Sequence, residues 1–419
     1  MYSLCFLPMS FAYCVKPLSP SEEAKRYIGT WETPESIPHL PLPGGILLSL
    51  LVVACAVYQL PFSPAPLYTV PLLIACVLAL IGVVRSIAVG VAFGALFVCG
   101  FAFGGFSLST GLALVCPVIV MGLGAYLIST YRSKWLFLLP VLAYACAFAL
   151  CRDAAMSLIS LISFPAAGIL AYQTMRHQGR VSVICSTSLL YGLCYVFGYV
   201  LLLFLRDGAV SLPELAAQLD ALRESTVDTL LQNQAFIDAL ENTYASVGLK
   251  ASDVIEPGIN LVFNLLPGLL ICLVNIMAYT AQLTCVRAYT GTGMKSLASR
   301  TAQLFVLSVF SGLVYLFCFV ITLFSGASNM FTATVQNLLV ILLPGMTLVG
   351  VFKLISDVKH GVSRLWLLIL IGCAVIMPYM LILCISFSGA LTTVTRPLIT
   401  RMIVKTQGKD GPSDPTDAD

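Results

Sequence analysis

Apolar residues run along most of this chain in long unbroken blocks, and polar residues gather in the short gaps between them. Blocks of roughly 17 residues or more predict helices that cross a bilayer, whose hydrocarbon core is about 30 Å thick. Eleven such blocks are expected, at 44–60, 66–84, 87–104, 108–130, 135–151, 154–175, 180–205, 257–284, 302–325, 332–352 and 365–388. Alternation of apolar and polar residues, the mark of a transmembrane barrel, is missing. The predicted fold class is therefore all-α, a polytopic transmembrane helical bundle of about eleven spans, with ten or twelve as neighbouring counts. The parts expected are a lead-in (1–43), a front bundle (44–206), an acidic helical segment (207–256), a rear bundle (257–388) and a tail (389–419) disordered beyond Lys405.

The segment Asp207–Glu256 stands apart as the one long water-compatible stretch between the first and last blocks. It holds nine acidic residues against Arg223 and Lys250. Ser211-Leu212-Pro213-Glu214 has the form of a capping box with proline in the first turn. Leu215, Leu219 and Leu222 recur at helical spacing, as do Ile237, Leu240, Tyr244 and Val247. Ser225–Asp228 offers a second helix start, so a helical hairpin broken near Ser225 is predicted.

Composition narrows the class. Hydrophobic residues make up 59% of the chain and charged residues 10%, against about 25% charged in a soluble domain; the mean hydropathy is +0.97. Basic residues are scattered at block ends, with no basic stripe, so nucleic acid is not an expected partner. Their placement orients the helices. With the N-terminus in the cytoplasm, Arg85, Arg132, Lys134, Arg176 and Arg180 fall on the inner side and the acidic segment on the outer side. The last block strains this pattern, because it sends Arg396, Arg401 and Lys405 outward; a re-entrant stretch at Met377-Pro378 or a miscounted span would relieve it. Met1–Val15 is apolar but short and lacks a basic lead, a poor signal peptide.

Few residues point to chemistry. The 15 cysteines include no C-x-x-C pair, and the three histidines lie far apart, so neither a metal nor another cofactor is implied. No carboxylate is predicted deep in the membrane, and no nucleotide, serine-hydrolase or zinc-protease motif occurs. An enzyme is not the leading expectation. Gly90, Gly94, Gly100 and Gly104 form two G-x-x-x-G pairs suited to close helix packing. Asn260, Asn264, Asn275 and Gln282 share one face of the eighth block, interrupted by Pro267-Gly268, and Asn337 is placed to join them. Polar groups at membrane depth face a bundle interior or a cavity, so this stripe is the candidate lining. Tyr191, Tyr195 and Tyr199 repeat every fourth residue on the seventh block, in line with Thr187, as core packing or an aromatic wall.

The order of parts carries a resemblance. A front bundle, an outer acidic segment and a long proline-containing helix (Asn260–Arg287) are followed by Gln336-Asn337 leading to Pro344-Gly345 and Val349-Gly350. A last span with Pro378 and the run Gly389-Ala390-Leu391 to Arg396-Pro397 close the series. Over roughly residues 66–401 this resembles the YybS-like family of uncharacterised bacterial membrane proteins, a domain of unknown function. The departures are the extra N-terminal portion and the lack of an acidic residue between Gly389 and Lys405. That family is similar in pattern to the S components of energy-coupling-factor transporters, and the likeness implies transport by fold-level analogy alone.

The function expected is that of a multi-pass plasma-membrane protein of transporter-like build, binding a small molecule or lipid between its bundles. Its expected partners are the lipid bilayer, that ligand, and an energising ATPase module or an envelope protein. A non-transporting scaffold of envelope assembly is the alternative, and a membrane transferase using Arg152 or Arg206 the third.

Overall fold

The structure is a computed structural model, and it describes residues 42–59, 69–79, 108–131, 134–175, 180–207, 212–244, 250–291, 307–324, 330–359 and 378–407. Among these the secondary structure is helical, with no strand. Five helices are long and apolar enough to cross a bilayer, within 114–131, 154–174, 181–205, 251–286 and 330–355. Shorter apolar helices cover 43–58, 138–151, 309–324 and 381–395. The chain is thus a helical membrane protein. The packing divides it into two units, residues 37–295 and residues 296–419 with 1–36.

The unit of residues 37–295 is built around one helix. We label its helices α1 (Leu42–Tyr58), α2 (Thr69–Ala79), α3 (Leu108–Tyr131), α4 (Leu138–Cys151), α5 (Ser163–Met175), α6 (Arg180–Asp207), α7 (Leu212–Gln232), α8 (Gln234–Tyr244) and α9 (Ala251–Gly291). Helix α3 is apolar on every side, which in a helix signals burial all round. It packs against α1, α2, α5 and α9, and the residues from Val115 to Leu127 are buried. Small residues permit the close fit. A Cβ on Gly122 would stand 2.9 Å from the Ala281 carbonyl of α9, and one on Gly124 3.5 Å from Ala167 of α5. Hydroxyls along these helices turn back on their own backbone, as Ser129 does to the Ala125 carbonyl and Thr284 to that of Thr280 (2.8 Å).

Helix α9 was expected to begin a separate rear bundle, yet it packs on α3 and α6 within this unit. Its 41 residues make it about 60 Å long, twice the hydrocarbon thickness. Its surplus length carries α7 and α8, which pack along it. The predicted break between two helices exists, but it lies at Asn233 rather than near Ser225. Ser225 and Thr226 both donate to the Leu222 carbonyl, at 3.0 and 2.7 Å, and so stay inside α7. Asn233 instead accepts from the Phe236 amide (3.3 Å) and opens α8. The leucine row is also displaced: Leu219 and Leu222 are exposed, whereas Arg223, Thr226, Val227 and Leu230 form the half-buried face.

The second unit holds α10 (Val309–Phe324), α11 (Met330–Lys359) and α12 (Pro378–Gln407). Its core is Tyr315, Leu342, Met346 and Ala390, and the Tyr315 phenol meets the Ser386 hydroxyl at 2.7 Å. A Cβ on Gly350 would overlap the Ile385 carbonyl, and one on Gly389 the Met346 carbonyl, so α11 and α12 touch backbone to backbone. Residues 389–405, expected as a tail, continue α12, and Pro378 stands at its first position, where its missing N–H is harmless. The G-x-x-x-G pairs Gly90/Gly94 and Gly100/Gly104 lie outside the described residues.

Candidate functional site

The polar stripe of α9 does not form one site. Sequence spacing placed its members on one face, but depth along the axis separates them. Asn260 and Gln282 stand about 33 Å apart along the helix at 1.5 Å per residue. Asn275 and Gln282 are buried, at 8% and 5% exposure, in the half of α9 that meets α3. Asn260 is half-buried and Asn264 is exposed beside Leu261 and Val262. Asn337 belongs to the other unit, where its amide donates to the Ala333 carbonyl one turn back (2.8 Å). The tyrosines part in the same way: Tyr191 is 6% exposed, Tyr195 and Tyr199 56% and 47%.

A different place gathers polar groups inside the unit of residues 37–295. The expected span 154–175 is a broken helix: one α turn (Ala154–Ser157), a 3₁₀ turn (Leu158–Leu161), and then α5. Its start is firmly fixed. Asp153 accepts from the amides of Ala155 and Met156 at 2.8 and 3.2 Å, and Arg152 ends α4 in the left-handed region at φ 52°. The break has a local cause. Pro165 has no N–H for the Leu161 carbonyl, and its ring crowds that same carbonyl.

Residues 157–163 read Ser-Leu-Ile-Ser-Leu-Ile-Ser, a repeat of three that matches the three residues per turn of a 3₁₀ helix. Ser157, Ser160 and Ser163 therefore align on one face, and all three are fully buried. Ser157 and Ser160 donate to the carbonyls of Asp153 and Ser157, at 2.6 and 2.7 Å. Ser163 instead reaches across to α1 and donates to Oε1 of Gln59 at 2.9 Å.

Around this serine face stand groups with unused capacity. Nε2 of Gln59 is buried with no hydrogen-bond partner among the described residues; the buried Thr187 hydroxyl of α6 also lacks one, but its neighbour Ser186 bonds to Gln173, ten residues beyond Ser163. The Tyr191 phenol, one turn on from Thr187, lies alongside Ser163. Ile162, at the break, packs toward Gly198 of α6, where an added Cβ would come within 3.1 Å of its Cδ1. Helices α1, α4 and α6 all pack on the 3₁₀ turn. Helices α1, α3, α4 and α5 carry no charged residue, and α6 carries charge only at Arg180, Arg206 and Asp207. The site is an uncharged polar cluster inside apolar packing.

The sequence held the signal for this site. A strict Ser-x-x-Ser-x-x-Ser run ahead of Phe164-Pro165 does not suit a 3.6-residue helix, and it passes unseen when only hydropathy is read. Tyr191 stands out by its helical spacing with Tyr195 and Tyr199, whereas Gln59, Ser160 and Ser163 carry no such mark.

The other groups do not converge. The described acids of α7 and α8 face outward, and the ion pair there is Arg223–Asp220 at 3.7 Å, on exposed side chains. Cys55 and Cys76 touch at 3.5 Å between α1 and α2. Among the described residues no set of three His, Cys, Asp or Glu side chains is arranged to hold a metal ion. No known protein family, curated protein or solved structure matches the chain.

Proposed function

We propose that this chain is a multi-pass plasma-membrane protein of transporter-like type that binds a small molecule or lipid inside the unit of residues 37–295. The observation that carries the reading is the broken helix at 157–163. Irregular backbone at membrane depth is tolerated where protein buries it or where it lines a cavity, and discontinuous helices are where transporters hold their substrates. Here the break coincides with three buried serines and with the buried Nε2 of Gln59, which lacks a partner among the described residues. The proposed topology has about eleven spans, a cytoplasmic N-terminus and an outer acidic hairpin α7–α8. The resemblance to the YybS-like family is kept as part of this proposal, as is an energising ATPase module as partner.

Native mass spectrometry of the purified protein tests the reading. Wild type is expected to retain a small-molecule or lipid adduct that Ser160→Ala/Ser163→Ala releases at lower collision energy. Spectra with no adduct, or with adducts indifferent to both substitutions, reject it. The second reading, a scaffold of envelope assembly, draws on the exposed acids of α7 and α8, which form a solvated face suited to docking. Capture of an envelope protein that depends on those acids, together with an empty serine site, would favour it.

A further inference from the structure

We infer that the site at the helix break selects a neutral, bilayer-partitioning molecule whose polar end accepts hydrogen bonds, such as an ester, amide or ketone carbonyl. The inference rests on the ligand-binding reading above and adds the chemical class. Hydrogen-bond capacity gives the first argument. Oε1 of Gln59 is occupied by Ser163, while Nε2, which can only donate, is not. The unused capacity at Gln59 thus asks for an acceptor, because a buried donor left unmatched is costly.

Charge gives the second. The nearest charged residues on α6 are 11 and 15 positions from Tyr191, about 16 and 22 Å along the axis. The other helices packed on the break have none, and Arg152 and Asp153, which open the broken helix, are exposed and lie 11 and 10 positions before Ser163. An ionised carboxylate, phosphate or amine brought to Ser163 and Gln59 would be desolvated without a counter-charge in contact with it. A carbonyl would be satisfied by the donors already present.

Access gives the third. Tyr191, buried, leans on Tyr195, exposed, with ring centroids 6.4 Å apart. Between them Gly192 faces open space, with nothing within 4 Å of a Cβ placed there. Beyond Tyr195 the exposed surface of α6 is Val196, Phe197, Tyr199 and Val200. The tyrosine row therefore leads from the serine face to an apolar outer surface of this unit, a route for a molecule already dissolved in lipid. Rings with a polar tip suit such a passage.

The test uses the full chain in nanodiscs and four diazirine photoprobes of matched chain length: a diacylglycerol, a fatty amide, a fatty acid and a plain alkane. Peptides covering 154–165 and 185–199 are read by mass spectrometry. Labelling of both peptides by a carbonyl probe is expected, with the diacylglycerol arm marking a lipid source and the amide arm a free amphiphile. Loss of the one uncommitted donor predicts about a tenfold drop in Gln59→Leu. If Gln59→Leu fails to give a monodisperse protein, the near-isosteric Gln59→Met, which lacks the same amide, decides. Preference for the fatty acid anion, or alkane labelling equal to that of the carbonyl probes, overturns the class while leaving a binding site in place. No labelling of either peptide by any probe overturns the ligand-binding reading with it.

Discussion

Glycine-to-alanine substitutions at different places in this protein are expected to act with opposite signs. In a helix interior, alanine is favoured over glycine by about 0.5–1 kcal/mol, because glycine loses more backbone entropy on folding. At Gly168 of α5 and Gly258 of α9 an added methyl meets nothing within 4 Å. Gly168→Ala and Gly258→Ala should therefore leave stability unchanged or raise it by that amount. At Gly389 the same methyl overlaps the Met346 carbonyl and comes 2.8 Å from the Gly350 nitrogen. Those are backbone atoms on another helix, and no rotamer change moves them aside. Ordinary contact begins near 3.4 Å, so α11 and α12 must part, at an overpacking cost of about 1–3 kcal/mol or more. At about 3 °C per kcal/mol, Gly389→Ala and Gly350→Ala should each lower Tm by several degrees after the helix-propensity gain is subtracted. The two act on one crossing, and a single separation relieves both, so the double variant should lose less than the sum. Intrinsic tryptophan fluorescence during thermal unfolding in detergent measures this. A Gly389→Ala protein as stable as wild type, or a Gly168→Ala protein as unstable as Gly389→Ala, would refute the packing argument.

Other outcomes follow from single features. Arg152→Gly should raise stability by about 0.5–1 kcal/mol, since φ 52° suits glycine, and Asp153→Ala should lower it by about 1 kcal/mol through loss of the cap on Ala155 and Met156; thermal unfolding reads both. Asn233→Ala should speed amide exchange in α8 while leaving α7 unchanged, because Asn233 caps only the second helix. Asn275→Leu should alter stability more than Asn264→Leu, given their unequal burial, with equal Tm shifts counting against the division of the stripe. Reporter fusions at 230, 295 and 405 should report outside, inside and outside for eleven spans; a cytoplasmic residue 230 would overturn the orientation.

Hydropathy along the chain was enough to determine that this is a helical membrane protein and roughly where most of its described helices lie. Block length and the scarcity of charge are local quantities, and a bilayer imposes them segment by segment. The exposure of the described acids of α7 and α8 was also legible, because amphipathic spacing acts within a turn or two.

What needed the tertiary structure was every relation across distance. The polar stripe of α9 looked like one lining because rotation about a helix can be read from residue numbers. Which stretch of that helix is covered depends on where α3 ends beside it. The turn at Ser225 went to Asn233 because the hydroxyls of Ser225 and Thr226 found carbonyls one turn back, a competition that residue type alone does not decide. The pairing of Gln59 with Ser163 spans 104 residues, and no local pattern encodes it. The serine repeat was present in the sequence all along. Only the neighbouring helices, by burying it among uncharged side chains, turn that repeat into a candidate binding site.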